Sequence, residues 1–478
     1  MLFNNIVYVF HKNRHVKVVL KLVNLQLNIN ILMENMNNNT RYTFIISFIS
    51  ALGGYLFGFD FAVISGTLPF LRDVFALNVW WEGFLTGSLA LGCMLGCMLA
   101  GGIADKYGRR PALMISALVF AMSSLGMAFS NTLSIFIGMR FIAGIGVGMA
   151  SMLSPMYIAE VSPAEIRGRN VSINQLTVVI GILITNLVNY KLSTIGPDAW
   201  RWMFGLGVIP SLAFFIGVFW LPESPRWLIQ NGQVALGNAI LTKIGGKDFA
   251  QKTLIDVEKS LLNVQKESFA ILLKAEYRPA VLVGIGLAVF QQLCGINVVF
   301  NYTSTIFETV GANLDRQLFE TVAIGIINLI FTVLAMYQVD KLGRKPLMLI
   351  GSLGLSVLYI VIALLLQNHA DPRVLSVFVL IAISIYACSL APVTWVLISE
   401  IFPNKIRGKA SSIAILALWG AYFVLVFTFP ILAEKLGTFG PFWMYAVVCF
   451  VGFWFIKLKV KETKGKTLEE LEDVFSGD

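Results

Sequence analysis

Apolar runs close to twenty residues long recur along most of this chain, and each can cross a hydrocarbon core about 30 Å thick as a helix. They lie near 43–65, 83–103, 112–130, 133–157, 171–190 and 201–221, and again near 279–302, 318–339, 346–367, 373–398, 411–433 and 439–458. Twelve such runs predict an all-α, polytopic membrane protein. Composition agrees: 57% of the residues are hydrophobic and 13% charged, where a soluble domain carries about a quarter charged.

The net charge of +9 would suit a nucleic-acid partner, but its placement reports topology instead. Even-numbered loops and the tail hold 24 Lys and Arg, whereas the opposite loops hold 6: Arg72, Lys191, Arg201, Arg316, Arg373 and Lys435. A cationic excess marks cytoplasmic loops, so both termini are expected inside. Cys93, Cys97, Cys294, Cys388 and Cys449 fall within apolar spans and read as small packing residues, not as disulfides or metal ligands. His11, His15 and His369 lie outside the spans, which removes imidazole from any transmembrane proton path. No cofactor is expected. Residues 1–40 mix apolar residues with Lys, His and Asn and lack a signal peptide's pattern. They read as a disordered tail or as an extension ahead of a true start at Met33 or Met36, with a membrane-surface helix as the alternative.

The two sets of spans echo each other. GGIADKYGRRP (101–111) follows the second span and YQVDKLGRKP (337–346) the eighth; EVSPAEIRGR (160–169) follows the fourth and EIFPNKIRGK (400–409) the tenth. Asp105 and Asp340 are 235 residues apart, Glu160 and Glu400 240. Duplication therefore predicts two pseudo-symmetric six-helix bundles, 41–221 and 279–458, joined by a cytoplasmic helical linker over 222–278 and followed by a tail over 459–478. Halves of this kind rock about a central site. Within the spans, Gly92-x-x-x-Gly96 and Gly144-x-x-x-Gly148 permit tight helix crossings.

Away from the span ends, Asp60 and Arg140 are the ionisable residues expected deep in the membrane. A charge there costs at least about 2.5–3.5 kcal/mol on insertion scales, so each should face a cavity or a partner. Asp60 precedes Thr67 by seven residues and Arg140 follows Thr132 by eight, placing both about 10–12 Å below the outer surface. They can meet. Ion pairing favours the charged carboxyl and desolvation the neutral one, so a paired Asp60 is poised to gain and lose a proton. The alternative is a static pair that fixes helix packing, although buried pairs add little net stability.

In the seventh span Gln291, Gln292 and Asn297 interrupt an otherwise apolar helix. On a continuous helix Gln291 and Asn297 lie about 120° apart and Gln292 and Asn297 about 140°, a broad polar face. Amides offer both donors and acceptors, as a polyhydroxyl ligand needs. Asn328 in the eighth span and Gln175 in the fifth add the same chemistry, and Trp395 and Trp419 can stack on a sugar ring. A few polar groups among apolar and aromatic walls make a neutral-ligand pocket. Helix–helix glue is the alternative.

Together these stretches resemble the sugar porter family of the major facilitator superfamily, nearest to bacterial xylose-type sugar–proton symporters. GGIADKYGRR, RFIAGIGVGMASMLSPMYIAE, PESPRWL, QQLCGINVVFNY, VDKLGRK and WVLISEIFPNKIRGKA carry the likeness, in order, from about Arg41 to the tail. The resemblance implies that Gln175, Gln291, Gln292, Asn297 and Trp395 contact sugar, with Asn328 and Trp419 nearby. It implies that Asp60 and Arg140 couple the proton. It assigns Glu160, Arg167, Glu223, Arg344, Glu400 and Arg407 to a cytoplasmic salt-bridge network. Several positions depart from the pattern. Asn301 stands where many relatives have Tyr, Ile182 and Leu418 where amides are common, and Tyr422 likewise; Gly207 lacks a carboxylate and Lys461 replaces Pro.

The expected function is proton-coupled symport of a pentose or hexose across a bacterial inner membrane by a monomer. The expected partners are sugar, proton and lipid bilayer. A uniporter with a structural Asp60–Arg140 pair and a transporter-like sensor are the alternatives. The spans show no nucleophile–base pair, metal-ligand cluster or nucleotide loop that would make an enzyme.

Overall fold

The computed structural model describes residues 38–262, 269–403 and 405–464. Of the N-terminal extension expected over 1–40, residues 1–37 lie outside the described residues, as do residues 465–478 of the tail. Among the described residues, twelve helices are long and apolar enough to span a membrane: Asn39–Phe75, Val79–Tyr107, Arg109–Ala128, Leu133–Glu160, Ile166–Ile195 and Ala199–Phe219, then Arg278–Asn301, Leu314–Met336, Arg344–Gln367, Pro372–Ile398, Arg407–Leu436 and Phe439–Lys459. Every predicted span is met. Between the sixth and seventh spans lie short helices, Pro225–Gln230, Val234–Gly245 and Lys247–Leu262. We call the side bearing these short helices the terminal face, and the opposite side the far face.

The packing repeats with a period of six spans. The first packs on the fifth and the seventh on the eleventh; the second on the fourth and the eighth on the tenth; the third on the sixth and the ninth on the twelfth. Between halves, the second packs on the eleventh and the eighth on the fifth. Adding six to each span number turns one half's neighbours into the other's, so the chain forms two pseudo-symmetric six-helix bundles. The glycine spacing works as the sequence suggests. A Cβ on Gly92 would collide with the Phe141 carbonyl, and one on Gly144 with the Leu89 carbonyl, so the second and fourth spans cross backbone to backbone.

The first helix runs ten residues past its predicted end. Apolar counting stops near Gly66, but Leu68 and Leu71 are fully buried and carry the helix to Phe75. Pro69 sits inside it and has no N–H to give the Ser65 carbonyl four residues back. Ser304 Oγ of the C-terminal half donates to that carbonyl instead, at 2.6 Å. Pro430 in the eleventh span frees the Val426 carbonyl in the same way, and Tyr302 Oη donates to it at 2.8 Å.

Candidate functional site: a buried ion pair facing a line of amides

Asp60 and Arg140 meet. Arg140 Nη1 lies 3.5 Å from Asp60 Oδ2, and both side chains are fully buried. Arg140 Nε donates to the Leu85 carbonyl at 3.0 Å, anchoring the guanidinium to the second span. Neither carboxylate oxygen of Asp60 accepts a hydrogen bond from a described residue. The pair is held by charge at 3.5 Å, without a bidentate clasp, so protonation of Asp60 breaks no hydrogen bond from a described residue. The depth expected from sequence needs correction: it counted from Thr67, whereas the first helix continues to Phe75. Counting fails there because the helix outruns its apolar stretch.

Two further carboxylates are buried near the far ends of spans, where sequence reading set them aside. Glu82 is 5% exposed and accepts from Arg72 Nε and Nη2, both at 2.7 Å. Glu320, 1% exposed, pairs with Arg316 and accepts from Ser376 Oγ at 2.5 Å. Arg72 also reaches the other half, donating to Glu308 at 2.9 Å and to Thr305 at 2.6 Å. Asn186 Nδ2 donates to the Thr321 carbonyl at 2.7 Å, again between halves. With Ser304 on Ser65, these bonds zip the bundles together near the far face.

The seventh span is not the continuous helix expected. It stops at Leu293 and restarts at Ile296, with Gly295 at φ +89° between them, a conformation that favours glycine. The break replaces the broad polar face with a compact line. Gln291 Nε2 donates to Tyr386 Oη at 2.6 Å, and Gln292 Nε2 to Gln291 Oε1 at 2.5 Å. Asn297 Nδ2 donates to Gln292 Oε1, and Asn301 Nδ2 to the Asn297 carbonyl at 2.6 Å. Tyr422 Oη donates to Asn301 Oδ1 at 3.1 Å. All six residues are buried.

Of the remaining predicted ligands, Trp419 joins this cluster from its edge, with its ring 5.8 Å from Tyr422 and 5.6 Å from Phe57. Asn328 is buried, Gln175 half-buried and Trp395 39% exposed. Among the described residues no hydrogen bond joins these three to the line. Tyr386 escaped sequence reading because one Tyr in an apolar run looks like packing. Asn301 and Tyr422 were visible only as departures from a family pattern.

At the terminal face, Glu160 pairs with Arg109 at 3.1 Å, a residue that sequence reading left out of the network. Glu223 takes backbone donors: Arg109 N at 2.8 Å, Arg110 N at 3.2 Å and Ser224 N at 2.7 Å. Arg344 pairs with Glu400 at 3.3 Å, and Arg407 Nε donates to the Phe402 carbonyl at 3.1 Å. Arg167 is exposed and, with Glu160, lines a cavity of about 220 Å³. Glu462, also absent from the expected network, accepts from Arg344 N at 3.0 Å and Lys345 N at 2.9 Å. Glu462 thus repeats in the second half what Glu223 does in the first. Each of these ties lies within one half or its flanking segment.

The family model described as "Sugar (and other) transporter" matches residues 46–475. The chain belongs to this sugar transporter family. It is 39% identical to the D-xylose-proton symporter of Escherichia coli over 92% of this chain and 96% of that one. It is 36% identical to the arabinose-proton symporter of Bacillus subtilis, over 91% and 95% respectively. A solved structure of the proton:xylose symporter XylE, a major facilitator superfamily protein bound to 6-bromo-6-deoxy-D-glucose, superposes with a TM-score of 0.79. It shares 39% identity and covers 91% of this chain and all of that one. The family likeness read from the loop motifs is therefore met, and the chain is a multi-pass membrane protein of transporter type.

Proposed function

We propose that this sugar transporter carries a monosaccharide together with a proton by alternating access, a pentose or hexose with the xylose type favoured. In this reading the membrane is a bacterial inner membrane and the terminal face is cytoplasmic, as the cationic loops ask. The protein works as a monomer whose bundles 41–221 and 279–458 rock against each other, with 222–278 and 459–478 on the cytoplasmic side. The observation that carries the reading is a fully buried carboxylate 3.5 Å from a fully buried guanidinium, its oxygens free of hydrogen bonds from described residues. A proton on Asp60 removes the charge attraction between the first helix and the fourth.

Sugar hydroxyls replace the bonds that Gln291, Gln292 and Asn297 make to one another, with Gln175, Asn328, Trp395 and Trp419 completing the site. Glu160, Arg167, Glu223, Arg344, Glu400 and Arg407 close the cytoplasmic side while the far face is open. A facilitative uniporter is the second reading, favoured by the Arg140 bond to Leu85, which gives Arg140 a packing role of its own. Proteoliposomes holding the purified chain separate the two. Added sugar alkalinises the outside under symport and leaves external pH flat under uniport.

A further inference from the structure

The polar line has two unlike ends. At one, Gln291 meets Tyr386 of the tenth span. At the other, Tyr422 of the eleventh span donates to Asn301. Its ring lies 5.6 Å from that of Phe61, the residue after Asp60. Phe61 also packs at 5.8 Å on Phe300, the residue before Asn301. One aromatic side chain of the first helix therefore touches both elements that hold the Asn301–Tyr422 bond.

We propose that Asn301 and Tyr422 are positioning residues that carry sugar occupancy at the amides to the Asp60–Arg140 pair, with the Phe61 ring as the contact between halves. The proposal rests on the symport reading. Sugar that engages Gln292 and Asn297 separates two amides now bonded to each other. Asn301 is tied to the Asn297 carbonyl and moves with it, and Tyr422 follows through its hydroxyl. Packed rings transmit such a shift because a close-packed interior has no slack to absorb it. Phe61 passes it to the helix turn that bears Asp60. Among the described residues, Arg140 of the fourth span lies 3.5 Å from Asp60, and the Cys93 thiol of the second span and the Tyr422 hydroxyl of the eleventh are the other titratable groups that feel its charge. Of these, Tyr422 alone also belongs to the amide line.

Linkage makes the consequence measurable, because a proton that tightens sugar binding must itself bind more tightly when sugar is present. Equilibrium binding to the purified full chain uses D-xylose, D-glucose or L-arabinose, whichever the wild type takes. The wild type should bind about tenfold more tightly at about pH 6 than at about pH 8.5. Tyr422→Phe deletes one oxygen, and Asn301→Ala tests the partner. Both should still bind sugar, with that ratio reduced below about twofold. Tyr386→Phe removes the matching hydroxyl at the far end of the line; it should weaken binding equally at both pH values and keep the ratio. Retention of the wild-type ratio in both Tyr422→Phe and Asn301→Ala overturns the proposal, as does its equal loss in Tyr386→Phe. A wild type with no pH dependence defeats the symport reading itself, and this inference with it.

Discussion

The two halves share a packing scheme and diverge in what they bury at its centre. The first and seventh spans hold equivalent places, each packed on the span four later. The first stays helical through Pro69 and carries a carboxylate with a guanidinium beside it. The seventh breaks at Gly295 and carries amides bonded in series. The difference follows from the proposed cargo. A proton is best bound by a group whose environment balances charge against desolvation, so few hydrogen bonds and a dry setting suit it. A sugar presents many hydroxyls, and amides that already satisfy one another cost nothing while the site is empty yet can turn to a ligand. One duplicated scaffold can thus hold two incompatible environments a short distance apart.

The sharpest way to break this division is Asp60→Asn. The amide keeps the shape and removes the charge, so proton-driven accumulation should fall to equilibration while sugar counterflow persists. Both can be read in proteoliposomes with and without an imposed proton gradient. Accumulation by the variant would place coupling elsewhere. The C-terminal half is tested next. Asn297→Ala or Gln292→Ala leaves a buried amide neighbour unpaired as well as removing a proposed sugar contact. It should raise the sugar dissociation constant about ten- to a hundredfold, by equilibrium binding, with the protein still folded.

How much of this is legible in the sequence depends on what kind of residue carries it. Twelve spans are legible because lipid demands length and apolarity of every one. Asp60 and Arg140 are legible because a charge in such a run has few reasons to be there. The Gly295 break is not, since its cause is one φ angle and the sequence shows only one more small residue. On a continuous helix Gln292 and Asn297 lie about 140° apart, whereas the break lets them bond directly. Glu320 hid at a span end, where charges are ordinary. Arg109 hid in a loop whose cations were already explained by topology.

A smaller effect is expected where the halves touch. Arg72 holds Glu82 of its own half and Glu308 of the other, but Glu308 is 55% exposed in its side chain and exposed pairs are worth little. Arg72→Met should therefore shift the balance toward the far-open form by only about two- to fivefold. Faster labelling of a thiol placed by Thr303→Cys, buried between the halves, would report it. An unchanged labelling rate would leave the Pro69-exposed carbonyl and its Ser304 bond as the stronger tie.

The smallest effect compares the halves at their most similar point. Gly108 and Gly343 precede the third and ninth helices at φ +101° and +93°, and Glu223 and Glu462 sit on the N–H groups that follow. Burial is the largest influence on Glu223, and it holds that carboxyl above the usual carboxylate range against its backbone donors. Burial also works against ionisation of Glu462, but the N–H groups of Lys464, Arg344, Lys345 and Thr463 together outweigh it and hold that carboxyl below the usual range. Linkage then gives opposite signs. The Glu462 contribution is present above the ordinary carboxylate value and is lost as pH falls through the lowered one. The Glu223 contribution is present below the ordinary value and is lost as pH rises through the raised one. Glu462→Gln should flatten the acid limb of a thermal-stability profile followed by tryptophan fluorescence, and Glu223→Gln the limb just above it. Each change should be about 0.5 kcal/mol or less for half-buried groups that solvent still screens. If both substitutions flatten the same limb, the two caps are equivalent in energy as well as in place. The asymmetry between the halves would then be confined to the membrane interior.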